Sequence, residues 1–244
     1  MFDGRPVLLN RDLHRTRRIR PGSGFGFARR AHALALAGVE FNEACKEYPM
    51  VFTRAAHGEL APVAVLGLRD GDTLFLDDDG QWTARYVPAC VRSHPFVLAQ
   101  LPGQQLGLCI DEACPAINDE EGEALFDASG ATTPFLQKAL DFVQRYREEA
   151  LRTEAFCRRL EQAGLLTAIE ARADLLDGRR FTLAGLQVVD EKKLMALPDA
   201  TVLSLFRAGE MHLVAMHLLS LSNLQRLADR MAQKPQPLHP APRP

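Results

Sequence analysis

The sequence lacks long hydrophobic runs: its 244 residues contain no apolar stretch of the roughly 18 residues that a membrane-spanning helix needs. Residues 1–10 also lack the apolar core of a secretory signal, and arginines follow them. We therefore expect no transmembrane helix, no leader peptide and a cytoplasmic location.

Metal-binding patterns are also missing. The five cysteines contain no CxxC pair, and Cys109 and Cys114 have no matching His or Cys pair downstream. The seven histidines form no HxH, HxD or HExxH pattern, and His212 and His217 fall on different faces of a predicted helix. The sequence thus predicts reduced thiols that pack as small apolar side chains, gives no metal site and identifies no cofactor.

Signatures of phosphate binding and catalysis are absent too. The Gly-rich segment Pro21–Gly26 lacks the spacing of a phosphate loop, so a plain loop is expected there. The acids of Asp77–Gly80 stand between two strand-like segments, which favours a hairpin turn over a calcium loop. No GxSxG elbow occurs, and His217 and Ser220, one helical turn apart, indicate a packing contact rather than a catalytic pair.

Charge is balanced overall but uneven along the chain. The net charge is −2 at neutral pH, which does not favour nucleic acid or anionic lipid as a partner. Residues 1–30 nevertheless contain eight arginines, whereas residues 110–127 contain seven acids and no Lys or Arg. One explanation of this uneven charge is that Arg11–Arg30 contacts nucleic acid or an acidic partner. We favour the other, in which the two segments pair within one molecule.

The first half of the chain is rich in strand patterns. Several short apolar or alternating runs are separated by Gly, Pro or Asp turns, which predicts a meander of antiparallel strands. The predicted strands are Tyr48–Phe52, Pro62–Leu68, Thr73–Leu76, Trp82–Val87, Pro95–Leu101 and Gln105–Ile110.

In the second half of the chain, apolar residues are spaced as in helices. Thr133 as a cap and Pro134 in the first turn predict the start of one or two helices that extend to Gln162. Arg179–Val189 follows an Asp-Gly turn and predicts a short hairpin. Three later helices are predicted, and the last has an apolar period near 3.5 that suits core packing or a dimer seam. They are Leu194–Leu197, Thr201–Ala208 and Glu210–Met231.

This order of elements predicts an α+β fold, with an antiparallel β-rich first half and a mainly helical second half. Residues 1–130 form the β-rich portion with its basic arm, and residues 131–233 form the helical portion with a hairpin near 179–189. The two are expected to make one continuous domain without internal repeats. Residues 234–244 are Pro-rich and are expected to be disordered.

One group of polar residues predicts a pocket. Glu40 stands between Val39 and Phe41, so its carboxylate, if buried, needs a charged or hydrogen-bonded partner, and Arg92 is the expected one. Such a group can hold an anionic ligand, or it can be a structural ion pair that fixes the fold. No catalytic residue is assigned. The candidate ligand-binding residues are Glu40, Tyr86, Arg92, Asp111, Glu112 and His217.

Short segments in a fixed order extend from Leu9 to Leu227. They include Glu40-Phe41, Tyr48–Phe52, Leu66–Leu68, Leu74–Asp77, Gly80–Trp82, Tyr86–Ala89, Arg92, Pro95-Phe96, Ile110–Glu112, Gly122, Leu125–Asp127, Gly185–Leu194 and His217–Leu221. This ordered set, rather than any single motif, resembles the bacterial SapC family. Arg92, Asp111 and Glu112 match family positions, and the resemblance brings no catalytic residue with it.

The resemblance implies a link to a surface-layer locus and a peptide-transport label, which the missing membrane spans contradict. It also implies genes near flavin-dependent tryptophan-halogenase-like proteins and outer-membrane receptors, and so an accessory role. The leading hypothesis is a non-catalytic accessory or binding protein that self-associates and works beside an enzyme or export system. The second is a metal-dependent oxygenase or a hydrolase-like enzyme with a pocket around Glu40, Arg92 and Asp111.

Overall fold

The computed structural model describes residues 4–55, 58–101, 103, 106–174 and 178–234, without the side chains of residues 173 and 174. It is 36% helical and 25% strand, with antiparallel sheets in the first half and helices in the second, so the predicted α+β class is confirmed. Of the predicted disordered tail, residues 234–244, only Lys234 lies within the described residues, and its ammonium pairs with the Asp72 carboxylate.

Strands and helices alternate irregularly along the chain. The strands are β1 (Pro6–Leu8), β2 (Arg18–Ile19), β3 (Ala33–Ala35), β4 (Met50–Arg54), β5 (Leu60–Val65), β6 (Phe96–Gln100), β7 (Leu106–Asp111), β8 (Ile117–Asn118), β9 (Glu123–Ala124), β10 (Leu166–Asp174) and β11 (Arg180–Val189). The helices are α1 (Phe41–Ala44), α2 (Ala89–Arg92), α3 (Pro134–Gln162), α4 (Glu191–Met195), α5 (Asp199–Arg207), α6 (Glu210–Ser220) and α7 (Asn223–Gln233).

The described strands form three antiparallel sheets. The largest has the order β10-β11-β4-β5-β3, a second has the order β1-β7-β6, and a small one has the order β8-β2-β9. β4 and β5 lie inside the first sheet, and Val51, Phe52 and Ala64 are fully buried there. Continuous apolar runs of this kind are typical of strands covered on both faces. The strands predicted before residue 70 and after residue 94 are confirmed, with small shifts of their ends.

The predicted strands Thr73–Leu76 and Trp82–Val87 are wrong. Only Leu76 and Trp82 pair across this segment, as an isolated bridge. The Leu74 N–H donates to the Leu66 carbonyl at 2.8 Å, so it is not available to extend a β-ladder between the two predicted strands. The segment is therefore a tight turn between loops, and the Asp77–Gly80 hairpin turn inside it is as predicted.

The turn at residues 75–83 occurs a second time at residues 125–133. In each copy an Asp carboxylate accepts the N–H four residues further on, at 2.7 Å for Asp77 and 2.9 Å for Asp127. A glycine with positive φ follows three residues after each Asp, and a Thr N–H then bonds back to the start of the turn. The two sequences share only the Asp, Gly and Thr positions, so this is a recurring turn rather than a repeat of the sequence.

The long helix α3 is as predicted. It spans 29 residues without a break, and the Thr133 hydroxyl accepts the Leu136 N–H at 3.3 Å at its start. Gly164 follows its end with a φ of 64°, a conformation that glycine adopts without a steric penalty. The chain then reverses into β10.

Two predictions for the second half need correction. The single helix Glu210–Met231 is wrong because α6 ends at Ser220 and α7 begins at Asn223. Ser220 and Ser222 each donate to a carbonyl of α6, at 2.6 Å and 2.9 Å, and such local bonds compete with helix continuation. The hairpin near 179–189 is confirmed but is longer than expected, because β10 pairs along β11 from Leu166.

Apolar side chains form two clusters of buried residues. The larger surrounds the five-stranded sheet, and the smaller lies under β6, β7 and the first turns of α3. α3 supplies Leu136 and Val143 to the smaller cluster and Phe156 and Leu160 to the larger. The helix therefore contributes to both clusters. The domain boundaries proposed from the sequence stay a prediction.

The basic and acidic segments pair within the molecule, as we favoured. Arg17 bonds Asp119 at 2.9 Å, and Arg20 bonds Glu121 at 2.5 Å. β2 lies between β8 and β9, so backbone pairing holds the two segments together. Exposed ion pairs of this kind contribute about 0–1 kcal/mol each, so they neutralise charge more than they stabilise the fold.

Within the described residues, no single helix is long and apolar enough to cross a membrane. Taken together, α5 and residues 210–233 have the length and apolar composition of a membrane span, but the two parts meet at an angle of 92°.

Candidate functional site

A cavity of about 590 Å³ lies where the two halves of the fold meet. Its wall consists of residues 19–27, Gln81, residues 91–96, residues 114–116 and one face of the α3 start from Phe135 to Phe142. Because Arg92 stands in this wall, we call it the Arg92 cavity. The Gly-rich segment Pro21–Gly26 forms one side, so the predicted loop is present and does not carry a phosphate-loop pattern.

Cations are the only charged side chains among the described residues that line the Arg92 cavity. They are Arg20, Arg92 and Lys138. Arg20 is already paired with Glu121, whose carboxylate lies outside the wall, and Lys138 is exposed on α3. Arg92 is therefore the cation whose position the fold determines most closely.

Glu40 lies beneath Arg92 and is 3% exposed. One carboxylate oxygen accepts the Tyr86 hydroxyl at 2.8 Å and the Ala89 N–H at 2.7 Å. The other accepts the Ala37 N–H at 2.7 Å. Burial raises the pKa of Glu40, and these three hydrogen bonds and the charge of Arg92 offset only part of that effect.

Arg92 reaches Glu40 through Tyr86 rather than directly, which corrects the predicted Glu40–Arg92 pair. Its Nε donates to the Val87 carbonyl at 2.9 Å, and its Nη2 donates to the Tyr86 hydroxyl at 3.4 Å. The guanidinium carbon lies 5.6 Å from the Tyr86 ring centre and 5.1 Å from that of Phe142. Burial and the Glu40 carboxylate raise the pKa of Tyr86, so its hydroxyl keeps its proton and donates it to Glu40.

Asp111 bonds His94 and does not line the Arg92 cavity. Its carboxylate accepts from His94 Nε2 at 3.0 Å and from the Arg5 N–H at 2.8 Å. The His94 side chain is 3% exposed and its ring stacks on Phe27, with ring centres 3.7 Å apart. Sequence reasoning missed His94, and its nearness to Arg92 and Pro95 in the chain was the only available signal.

Burial lowers the pKa of His94, although the bond to Asp111 raises it. Burial acts on Asp111 in the opposite sense, but the hydrogen bonds from His94 and two backbone N–H groups lower its pKa overall. The pair is therefore a neutral imidazole against a carboxylate at neutral pH. His94 lines both the Arg92 cavity and a second cavity of about 410 Å³, which Asp111 and Tyr146 also line.

Glu112 and His217 do not join this site. Glu112 is half exposed and bonds His14 Nε2 at 3.2 Å. His217 is buried in the larger core, where its Nε2 accepts the Val189 N–H at 3.1 Å and its ring lies 4.8 Å from that of Phe52. Burial lowers the pKa of His217 to about 4, which fits a neutral structural residue. His217 and Ser220 touch only through the His217 carbonyl, as a packing contact.

Potential metal ligands and thiols in the described structure do not form a reactive group. No group of three or more His, Cys, Asp or Glu residues is close enough to hold a metal ion in the part of the chain that the structure describes. The five cysteines are free thiols. Burial raises the pKa of Cys90 to about 12 and also raises that of Cys114, which lines the Arg92 cavity. Both thiols are therefore poor nucleophiles at neutral pH.

Comparison with known proteins gives one match. The family model of SapC matches residues 9–227, which is most of the chain. Neither the search of curated proteins nor the search of solved structures finds a match.

Proposed function

This chain belongs to the SapC family, and we propose that it is a binding protein for a small apolar anion held in the Arg92 cavity. The observation that carries the proposal is the charge of the wall. Three cations line it, and the lining residues that the structure describes include neither Asp nor Glu, although the whole chain has a net charge of −2. A concave wall with charges of one sign attracts ligands of the opposite sign.

The rest of the wall supports an apolar ligand body. Most ligand sites are clefts of about 300–1,000 Å³ with apolar walls and a few polar groups, and the Arg92 cavity falls in that range. Five rings contribute to it: Phe25, Phe27, Phe96, Phe135 and Phe142.

Catalysis has less support. The His94–Asp111 pair has the geometry of a base and its orienting carboxylate. However, the Ser93 hydroxyl beside it donates to the Cys90 carbonyl at 3.2 Å, and burial raises the pKa of the Cys114 thiol. Neither group is prepared as a nucleophile, so binding is the function we propose.

Titration with anilinonaphthalene sulfonate, an apolar anion that fluoresces when it leaves water, tests the proposal. We expect one saturable site on the folded protein and about tenfold weaker binding by Arg92→Met, because a charge-assisted hydrogen bond is lost. Arg207→Met is the matched control, since Arg207 is exposed on α5 and does not line the cavity. An Arg92→Met protein that melts like the wild type and binds the probe equally well would contradict the proposal.

We also propose that the protein acts in the cytoplasm as an accessory to a partner enzyme, as the family resemblance implied, and that it self-associates. Met195 on α4 is 85% exposed and Phe206 on α5 is 70% exposed, and large apolar side chains in water favour protein contacts. Sedimentation velocity of the wild type and of Phe206→Ser tests self-association. A dimer that Phe206→Ser weakens is expected, and a monomeric wild type would contradict it.

A further inference from the structure

The guanidinium of Arg92 is fixed in a way that the other two cations are not. The rings of Tyr86 and Phe142 both lie against it, and its Nε donates to the Val87 carbonyl. Tyr86 is itself held by the buried Glu40 carboxylate. The plane and position of the guanidinium are therefore set before any ligand arrives, which lowers the entropic cost of binding.

This arrangement leaves part of the guanidinium for a ligand. Within the described structure, Nη1 has no hydrogen-bond partner, and Nη2 uses only one of its two hydrogens, on Tyr86. Nη1 and Nη2 can thus donate two parallel bonds to one planar group. Guanidinium groups with two parallel N–H donors match the two coplanar oxygens of a carboxylate.

The remaining charges favour a single negative charge on the ligand. Arg20 bonds Glu121 at 2.5 Å, so its charge is already compensated. Lys138 is exposed on α3, and no hydrogen bond or ion pair within the described residues fixes its ammonium. Arg92 meets the Glu40 carboxylate only through Tyr86, and one fixed cation balances a monocarboxylate better than it balances a doubly charged phosphate monoester.

The apolar wall favours a ring over an alkyl chain. Phe25 and Phe27 meet edge to face with centres 6.4 Å apart, and Phe96 and Phe135 do so at 6.3 Å. These two pairs present ring faces and edges to the same cavity as Phe142. An aromatic ligand gains about 0.5–1.5 kcal/mol for each well-oriented ring contact beyond the burial of its surface.

We infer that the ligand of the Arg92 cavity is an aromatic monocarboxylate, bound with its carboxylate on the Arg92 guanidinium and its ring among the phenylalanines. This inference rests on the proposed function. It narrows a small apolar anion to one chemical class, and it makes Arg92 the residue that determines specificity.

Isothermal titration calorimetry with four probes tests the inference: 2-naphthoate, decanoate, 2-naphthyl phosphate and 2-naphthalenemethanol. We expect 2-naphthoate to bind at least about tenfold more tightly than each of the others, because only it combines the ring with a singly charged planar group. Arg92→Lys keeps the charge but loses the planar pair of donors, and we expect it to bind 2-naphthoate about tenfold more weakly. Arg207→Lys should leave 2-naphthoate binding unchanged.

The two proposals fail in different ways. If anilinonaphthalene sulfonate binding depends on Arg92 but decanoate or 2-naphthyl phosphate binds as tightly as 2-naphthoate, only the aromatic monocarboxylate is overturned. Arg92→Lys binding 2-naphthoate as tightly as the wild type would overturn it too. If no probe, including the sulfonate, binds in an Arg92-dependent way, the proposed function is itself overturned.

Discussion

At the scale of single residues, the site depends on how a buried carboxylate positions an arginine. Glu40 accepts three hydrogen bonds, and only one of them comes from a side chain, that of Tyr86. The backbone N–H groups fix Glu40, whereas Tyr86 connects it to Arg92. Tyr86 is thus a positioning residue, because its effect on a ligand passes through Arg92.

We expect Tyr86→Phe to lower the free energy of unfolding by about 1–3 kcal/mol, since the buried Glu40 carboxylate loses a donor. Anion binding should weaken as well, because the Arg92 guanidinium loses a neighbour that holds it. Tyr146→Phe is the matched control, as its hydroxyl makes no hydrogen bond within the described structure. Urea unfolding and calorimetry measure the two effects, and equal losses in both variants would argue against the positioning role.

His217 provides a prediction about pH. Its folded pKa of about 4 lies below the ordinary 6.5, so the folded state binds fewer protons than the unfolded state in that interval. Its contribution is therefore fully present above the unfolded pKa and is lost as the pH falls toward about 4, by about 3 kcal/mol. His94 acts in the same direction.

His217→Gln should reduce this acid sensitivity, because the amide oxygen can still accept the Val189 N–H and does not take up a proton. Urea unfolding between about pH 7 and about pH 4 measures the change. His212→Gln, at an exposed position of the same helix, should leave the pH dependence as in the wild type. An unchanged slope in His217→Gln would show that its burial does not control the acid response.

Sequence reasoning identified part of the site and missed the rest. A Glu between apolar neighbours signals a buried carboxylate that needs partners, and for that reason Glu40, Tyr86 and Arg92 were predicted together. The pairing of Asp111 with His94 was not predicted, because it joins the start of β6 to the end of β7 across a sheet register that the sequence does not specify. Glu112 and His217 lie apart from the Arg92 cavity, since polarity alone does not reveal the direction of a side chain.

At the scale of elements, the two copies of the Asp-Gly turn show how few residues define a local structure. Each turn closes with an Asp carboxylate on a backbone N–H and a glycine at positive φ. We expect Asp77→Ala and Asp127→Ala each to lower the melting temperature, because the N–H groups inside the turns lose their acceptor. Asp79→Ala, in the first turn but without a hydrogen bond in the described structure, should have little effect. A loss for Asp79→Ala as large as the other two would contradict this account.

Elements with strong local signals were predicted well, and the others were not. α3 has a cap, a proline and a long apolar period, and its bounds are nearly as predicted. β10 was missed because its Ala, Glu and Arg residues favour helix locally, and only pairing with β11 makes it a strand. The break between α6 and α7 depends on serine side chains that bond backward, a signal that apolar periodicity hides.

At the scale of the whole molecule, contacts between segments that are distant in the chain form the Arg92 cavity. Arg17 and Arg20 of the first segment pair with Asp119 and Glu121, and β2 pairs with β8 and β9, which brings β2 and the Gly-rich loop against the start of α3. The Arg92 cavity forms at that contact, and no acid is exposed in the wall that the structure describes. The α+β class was predictable from composition and element order, whereas the cavity needed contacts between segments about 100 residues apart in the chain.

The most direct test of the central claim is an amide NMR titration of the whole protein with 2-naphthoate. The account predicts saturable shifts that cluster in residues 20–27, 91–96, 114–116 and 135–142, with residues 199–220 unaffected. It also predicts that Arg92→Met needs about tenfold more 2-naphthoate to saturate these shifts while keeping the remaining spectrum. Shifts that cluster elsewhere, or no saturable shifts in a folded wild type, would contradict it.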